Sequence, residues 1–388
     1  MKKAEDRRQN QECGTEPRFQ TSDFRLQTFR TLLPFALFAL ALVALQLGLR
    51  AAGREYCLTQ LTMSLYYAIV VIGLCLVMGY AGQVSLGHGA FFAIGGYTAA
   101  VLTTHDFTRY GTSGWAAGMK AAHVLTARDD LYGNPILTAS PGAAFCAAML
   151  VTLAIAGLIG YPALRLKGHY LAMATLGFGL IINKIVVGTA LFGAADGING
   201  VPEWRLAPGL TVSGRSALRV ENYYLAGGLV LALLVLLRNL ILSRVGRALQ
   251  AIHDREAAAG AMGINTAAYK LRAFVLSALL AAMAGVFFTH YTGGIGPSEA
   301  SAFKSVRYVA LAASGGMASL WGVTGMSTLL NYLSLRGLFG SYDNAVFGAL
   351  LILIVSIAPE GPLKPLGQWL RKPFARSAVE RRLEHGAA

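Results

Sequence analysis

The polar side chains best placed to do chemistry lie in one short stretch. Gln83, Ser85 and His88 sit among Gly79, Gly82, Gly87 and Gly89, and together they interrupt an otherwise apolar run over residues 79–99. A carboxamide, a hydroxyl and an imidazole at this spacing can pair the N–H and C=O groups that a broken helix sets free. They can equally line a watery path, because unpaired backbone is tolerated at membrane depth only where protein or water meets it. They do not form a catalytic set. The chain offers no Ser/His/Asp arrangement, no paired carboxylates and no phosphate-cradling G-x-x-x-x-G-K-[ST]. Its four cysteines, Cys13, Cys57, Cys75 and Cys146, show neither CxxC nor metal-ligand spacing. No enzyme activity, metal or cofactor is expected.

The elements that must position these residues are membrane helices. Hydrophobic residues make up 55% of the 388 and charged residues 13%, about half the charge of a soluble domain at roughly 25%. The net charge of +14 is confined to a few connecting segments with no aromatic-and-basic stripe, so nucleic acid is not expected. Apolar runs predict helices over residues 31–49, 58–78, 90–103, 141–164, 169–192, 223–242, 271–291 and 346–358, and a region over 306–335 that breaks at 315–322. The first run follows 30 polar residues and is longer than a signal-peptide core, so it reads as a transmembrane helix. Lys184 lies inside one apolar run, where it faces a subunit interface or an aqueous path, or snorkels to the membrane interface.

The expectation is an all-α polytopic integral membrane protein with eight to ten transmembrane helices, some broken or re-entrant. Residues 1–30 form an N-terminal segment, 31–358 the transmembrane domain and 359–388 a C-terminal tail. Residues 238–272 carry six basic and two acidic groups and the tail six and three, whereas loops 105–140 and 193–222 carry three of each sign. The positive-inside rule then puts the basic segments and both termini in the cytoplasm and the balanced loops outside.

The polar kink has an echo. Gly82 to Leu86 and Gly316 to Leu320 share G-x-x-S-L, and each interrupts an apolar helix. Matching interruptions in two halves of a chain point to a substrate region, so Gly315, Gly316 and Ser319 join Gly82, Gln83, Ser85 and His88 as candidates for the path. Bending, capping and small-residue packing account for the same residues without substrate contact.

The segment 243–270 supplies a different signal. Asp254, Arg255 and Glu256 precede Ala257, Ala258, Ala259 and Ala261, and Gly263 follows. Asp254 or Asn265 can cap or break a short helix. A slim helical surface rimmed by charge suits docking into a groove on another protein, and its amphipathicity looks too weak for a helix lying on the membrane.

At this point the chain resembles a known family. Glu256-Ala257-Ala258 with Gly263-Ile264 looks like the EAA loop through which permease subunits of ABC importers receive their ATPase. The run from Gly79 to His88 looks like the signature of branched-chain amino acid transport permeases, LivM-like subunit. Arg165 to Gly168, Tyr170 to Gly179, Asn199 to Pro202 and the stretch ending at Gly322 also resemble that family, in family order from about residue 58 to 362. Departures stand at Leu180, where many relatives are acidic, at Gly193 to Ala195, and in a longer loop 105–140.

The resemblance implies a permease in the bacterial inner membrane that imports branched-chain or related amino acids. Separate ABC ATPase subunits would act through Asp254, Arg255, Glu256, Ala257, Ala258 and Gly263. A second, LivH-like permease subunit and an external solute-binding protein would be further partners. Import of another small polar solute (urea, short amides, aromatic acids) is the alternative within the superfamily, and an ion-coupled secondary transporter the alternative outside it.

Overall fold

The computed structural model describes residues 21–108, 124–129, 135–163, 169–337 and scattered positions between 342 and 356. The tail 359–388 and most of the helix expected over 346–358 lie outside the described residues, as do the 165–167 turn and parts of loop 105–140. The chain divides into two compact units, residues 1–53 and 54–388. The first holds α1 (Thr21–Ala51), whose stretch Leu33–Ala51 is long and apolar enough to span a bilayer.

In the second unit α2 (Cys57–Cys75) is apolar all round and runs straight into a π turn, Leu76–Tyr80. A helix with no polar face must be enclosed, and all but four residues of Cys57–Tyr80 are buried. Its Thr62 and Ser64 hydroxyls are satisfied locally, donating back to the carbonyls of Leu58 and Gln60 at 2.7 Å. Around α2 pack α6 (Arg219–Leu242), α9 (Thr266–Thr292), α10 (Ala302–Ser314) and α11 (Leu320–Leu335). The 17-residue α3 (His88–Thr104) lies along α9, where the backbones of Gly95 and Ala282, and of Gly285 and Phe92, leave no room for a Cβ on either glycine.

α4 (Pro141–Ala163) and α5 (His169–Gly188) bury only six of 23 and five of 20 residues. Leu150, Leu153, Leu158, Met173, Ile181 and Ile185 point outward from them, a surface suited to lipid or another membrane subunit rather than water. Lys184 is exposed on the same side of α5. Two short helices, α7 (Arg244–Asp254) and α8 (Glu256–Ala261), connect α6 to α9.

Among the described residues six helices are long and apolar enough to cross a membrane. α3, α10 and α11, with 17, 13 and 16 residues, are too short to be counted with them. Apart from α1, which starts ten residues before the expected run, the described helix positions agree with the hydropathy reading to within about five residues, and the break at 315–322 falls between α10 and α11. The connections add three two-stranded antiparallel ribbons that hydropathy did not anticipate. These pair β1 (Leu125–Asp129) with β2 (Pro135–Ala139), β3 (Ile198–Asn199) with β6 (Gly294–Ile295), and β4 (Trp204–Ala207) with β5 (Leu210–Val212).

Candidate functional site

The first interruption is built by its own backbone. Within the π turn Ala81 N–H donates to the Leu76 carbonyl at 3.2 Å, and Gln83 N–H reaches back to Val77 at 3.0 Å. Such turns mark irregular, often functional, places in helices. Gly82 then takes φ +67°, a left-handed conformation that favours glycine, and residues 82–87 run without regular structure until α3 begins at His88.

His88 is buried and bridges two elements. Its Nδ1 lies 3.1 Å from Ser85 Oγ, and its Nε2 lies 2.7 Å from Ser277 Oγ on α9. Leu86 N–H donates to Thr175 Oγ1 on α5 at 2.9 Å, and Gly89 N–H donates to Ser305 Oγ on α10 at 3.2 Å. Ser85 and His88 therefore pair within the protein, while Gln83 is buried with its Oε1 unpaired.

The second interruption meets the first. Cys75 Sγ donates to the Met317 carbonyl at 2.9 Å, and the Tyr80 hydroxyl donates to the Ala318 carbonyl at 2.7 Å. Gly79 lies so close to the Met317 carbonyl that a Cβ would collide with it. Gly316, at φ +83°, turns the chain, and Ser319 Oγ caps α11 by accepting from Gly322 N–H at 3.1 Å. Gly315 packs directly on the backbone of Val323. The two interruptions thus meet through Cys75, Gly79 and Tyr80 on one side and Met317 and Ala318 on the other; Gly82 and Gln83 follow the first contact in sequence, Gly315, Gly316 and Ser319 flank the second, and His88 ties Ser85 to α9.

The segment 243–270 joins this junction. Ser243 Oγ caps α7 and Asn265 Oδ1 caps α9, each accepting a backbone N–H at 3.1 Å, so of the two expected cappers Asn265 takes the role. Arg255, extended at φ −151°, separates α7 from α8, and Gly263 at φ +82° follows α8. Asp254, Ala257 and Ala258 are exposed. Glu256 pairs with Lys270 of α9 at 2.6 Å. The weak amphipathicity expected here is corrected: α7 buries Gly246, Leu249 and Ile252 along one face, a spacing of three residues that sets one side of a helix against the protein. At its end His253 lies over Gly82, with Nδ1 2.7 Å from where a Cβ would stand.

A further polar group lies at the other end of α9. Lys304 Nζ is 2.5 Å from Glu299 Oε1 and 2.9 Å from the Tyr67 hydroxyl, which donates to the same carboxylate at 3.0 Å. Tyr67 lies near the middle of the 24-residue Cys57–Tyr80 span, so this ion pair is enclosed at depth. Sequence reading missed Tyr67, Glu299 and Lys304. The signal was two opposite charges five residues apart between apolar runs, which reads as an ordinary loop.

The loop carrying Glu299 is pinned by Asn199 to Pro202. β3 pairs with β6, Val201 N–H donates to Gly293 at 3.0 Å, and His290 Nδ1 donates to the Pro202 carbonyl at 2.8 Å. Arg128 of β1 donates to the Gly200 carbonyl at 3.1 Å, which ties the long loop to the same motif. Leu180 is exposed on α5, and Gly193 packs on the Gly197 carbonyl.

Residues 56–355 match the family described as branched-chain amino acid transport system / permease component. The chain belongs to that family. The permease is 31% identical over 323 residues to the high-affinity branched-chain amino acid transport system permease protein LivM of Salmonella typhimurium, covering 78% of this chain and 68% of that protein. LivM of Escherichia coli K12 is 30% identical over 349 residues, covering 84% and 72%. LivH of the same organism is 26% identical over 317 residues, covering 78% and 92%. No solved structure matches. The matched region takes in both interruptions, the segment 243–270 and the Glu299 loop.

Proposed function

We propose that the chain is a membrane-spanning subunit of an ATP-driven importer of branched-chain or related amino acids, moved through residues 254–263 by separate ATPase subunits. The observation that carries this reading is the contact of His253 with Gly82, one turn of chain from the point where Gly79 meets Met317. A push on α7 and α8 has direct contact with the first interruption, and through it with the second. The Glu256–Lys270 pair offers another route into α9. On this reading α10 and α11 form a re-entrant pair, a LivH-like subunit covers part of the outward apolar surface, and an external solute-binding protein delivers substrate. The permease lies in the bacterial inner membrane with both termini in the cytoplasm.

Glu256→Lys tests it. Glu256 is itself open to solvent, with 42% of its side chain exposed, so the variant is expected to fold and insert while losing ATPase association and amino-acid uptake. Uptake and association at wild-type levels would overturn the proposal.

A further inference from the structure

A groove of about 570 Å³ lies where β1, β4 and the start of α4 come together, with Thr126, Arg128, Ser140, Gly142, Trp204 and Arg205 in its lining. Thr126 and Arg128 stand two residues apart on β1, so they share one face of the β1–β2 ribbon. Arg128 Nη2 donates to the Gly200 carbonyl at 3.1 Å, which fixes its guanidinium at the wall. Trp204 packs on Phe145 of α4 with ring centres 5.3 Å apart and so joins β4 to that helix. Arg205 beside it is exposed. Glu203, the acidic residue of the lining, is already engaged, since Arg215 pairs with it at 2.5 Å and Ser213 donates to it at 2.8 Å. The groove is therefore net positive.

Its position selects the ligand. The groove stands at the first turn of the apolar span Pro141–Ala163, the level at which hydrocarbon gives way to head groups. From Gly142 at its edge, Cys146, Leu150 and Leu153 follow at steps of four, four and three residues, and all three are exposed. Those steps keep to one side of a helix, so an uncovered apolar strip runs from the groove along the outward surface of α4. A cationic groove continued by an apolar strip matches an anionic phospholipid, with its head group in the one and an acyl chain on the other. A soluble acidic protein would fill the groove and leave the strip bare. A zwitterionic lipid brings an ammonium that the two guanidinium groups repel, whereas guanidinium forks hold a phosphate by paired hydrogen bonds. We infer that this groove is a head-group site for an anionic phospholipid whose acyl chain lies along Cys146, Leu150 and Leu153. The inference goes beyond the importer reading and does not depend on it.

The test uses the full-length permease in phosphatidylcholine nanodiscs. Phosphatidylglycerol and phosphatidylcholine probes, each with a diazirine in the acyl chain, are added at the same low mole fraction, illuminated and mapped by peptide mass spectrometry. The phosphatidylglycerol probe should label residues 142–153 about 25-fold more strongly, from about fivefold (~1 kcal/mol) for each arginine. Arg205→Gln, a change on an exposed side chain, should cut that ratio about fivefold. Should this variant fail to fold, Gly142→Glu decides by the same fall. Nothing lies within 4 Å of a Cβ at Gly142, and a helix N-terminus accepts a carboxylate, while the new charge repels the phosphate. Arg247→Gln, exposed on α7, is the control and should leave the ratio unchanged. Inorganic phosphate, which has no acyl chain, should not displace the probe.

Equal labelling of 142–153 by the two probes, or a ratio left intact in a folded Arg205→Gln or Gly142→Glu variant, overturns the site. A ratio that falls as far with Arg247→Gln reports only the general attraction of a basic protein for anionic lipid, and overturns it as well. Displacement of the probe by inorganic phosphate gives the groove to a free anion rather than a lipid. Equal labelling together with Arg205-dependent binding of the solute-binding protein gives it to a protein surface instead.

Discussion

The junction between the two interruptions depends on Gly79 having no side chain, and Gly79→Ala tests this directly. The added methyl would run into the Met317 carbonyl and press on the Ala318 Cα. Both obstacles are backbone, so no side-chain rotation relieves them. Overpacking costs about 1–3 kcal/mol. Relief by parting the segments stretches the Cys75–Met317 and Tyr80–Ala318 hydrogen bonds, at about 0.5–1.5 kcal/mol each. The greater helix preference of Ala returns up to about 1 kcal/mol, leaving a net loss of about 1–6 kcal/mol. Gly157→Ala on α4 is the control, because nothing lies within 4 Å of its added Cβ. Thermal unfolding of the purified protein in detergent, followed by intrinsic fluorescence, should show Gly79→Ala clearly destabilised and Gly157→Ala within about 1 kcal/mol of wild type. Equal stability of the two variants would refute the argument that the interruptions are in rigid contact.

Two further substitutions probe neighbouring contacts by the same assay. His88→Phe removes the bridge between Ser85 and Ser277 and should cost about 1–3 kcal/mol for the orphaned hydroxyls. Adding Ser277→Ala should recover part of that loss, and simple additivity would rule out the bridge. Trp204→Ala empties an aromatic cluster in which its ring lies 5.0 Å from Phe287 and 5.3 Å from Phe145. A loss of about 3–5 kcal/mol is expected, and a loss below 1 kcal/mol would count against the cluster as a feature that holds β4 to α4 and α9.

Hydropathy located the helices because burial and membrane insertion both demand long apolar runs. It found Pro141, His169 and Leu242 as helix limits, and it found both breaks, because glycine and polar residues inside such runs have few other uses. The meeting of the two breaks was not legible. Gly79 and Met317 are 238 positions apart in sequence, and only tertiary packing brings them together. The one-sided burial of α7 was legible in principle from Gly246, Leu249 and Ile252, but the neighbouring alanines diluted it. The Glu299–Lys304 pair escaped for a different reason. Charges between apolar runs ordinarily sit in water, and nothing local says that Pro297–Ala300 turns inward against α2.

α10 connects the two places where polar groups gather. Lys304, in its first turn, holds Glu299 and Tyr67, and its end passes through Gly315 and Gly316 into the junction with Gly79. Thirteen residues make a rod of about 20 Å. On the proposed reading, a movement imposed by His253 on Gly82 displaces the junction, and a stiff α10 transmits it to the Lys304 end. Packed elements switch between discrete arrangements rather than deform gradually, so transmission requires the helix to stay intact. Ala310→Gly with Ala313→Gly should weaken the rod by about 1 kcal/mol per site while changing no side chain used by the charged cluster or by the Gly79–Met317 contact. The expected outcome in proteoliposomes is ATP hydrolysis that persists with fewer amino acids imported per ATP. An unchanged ratio, in a double variant verified as helical and assembled, would mean that the coupling bypasses α10.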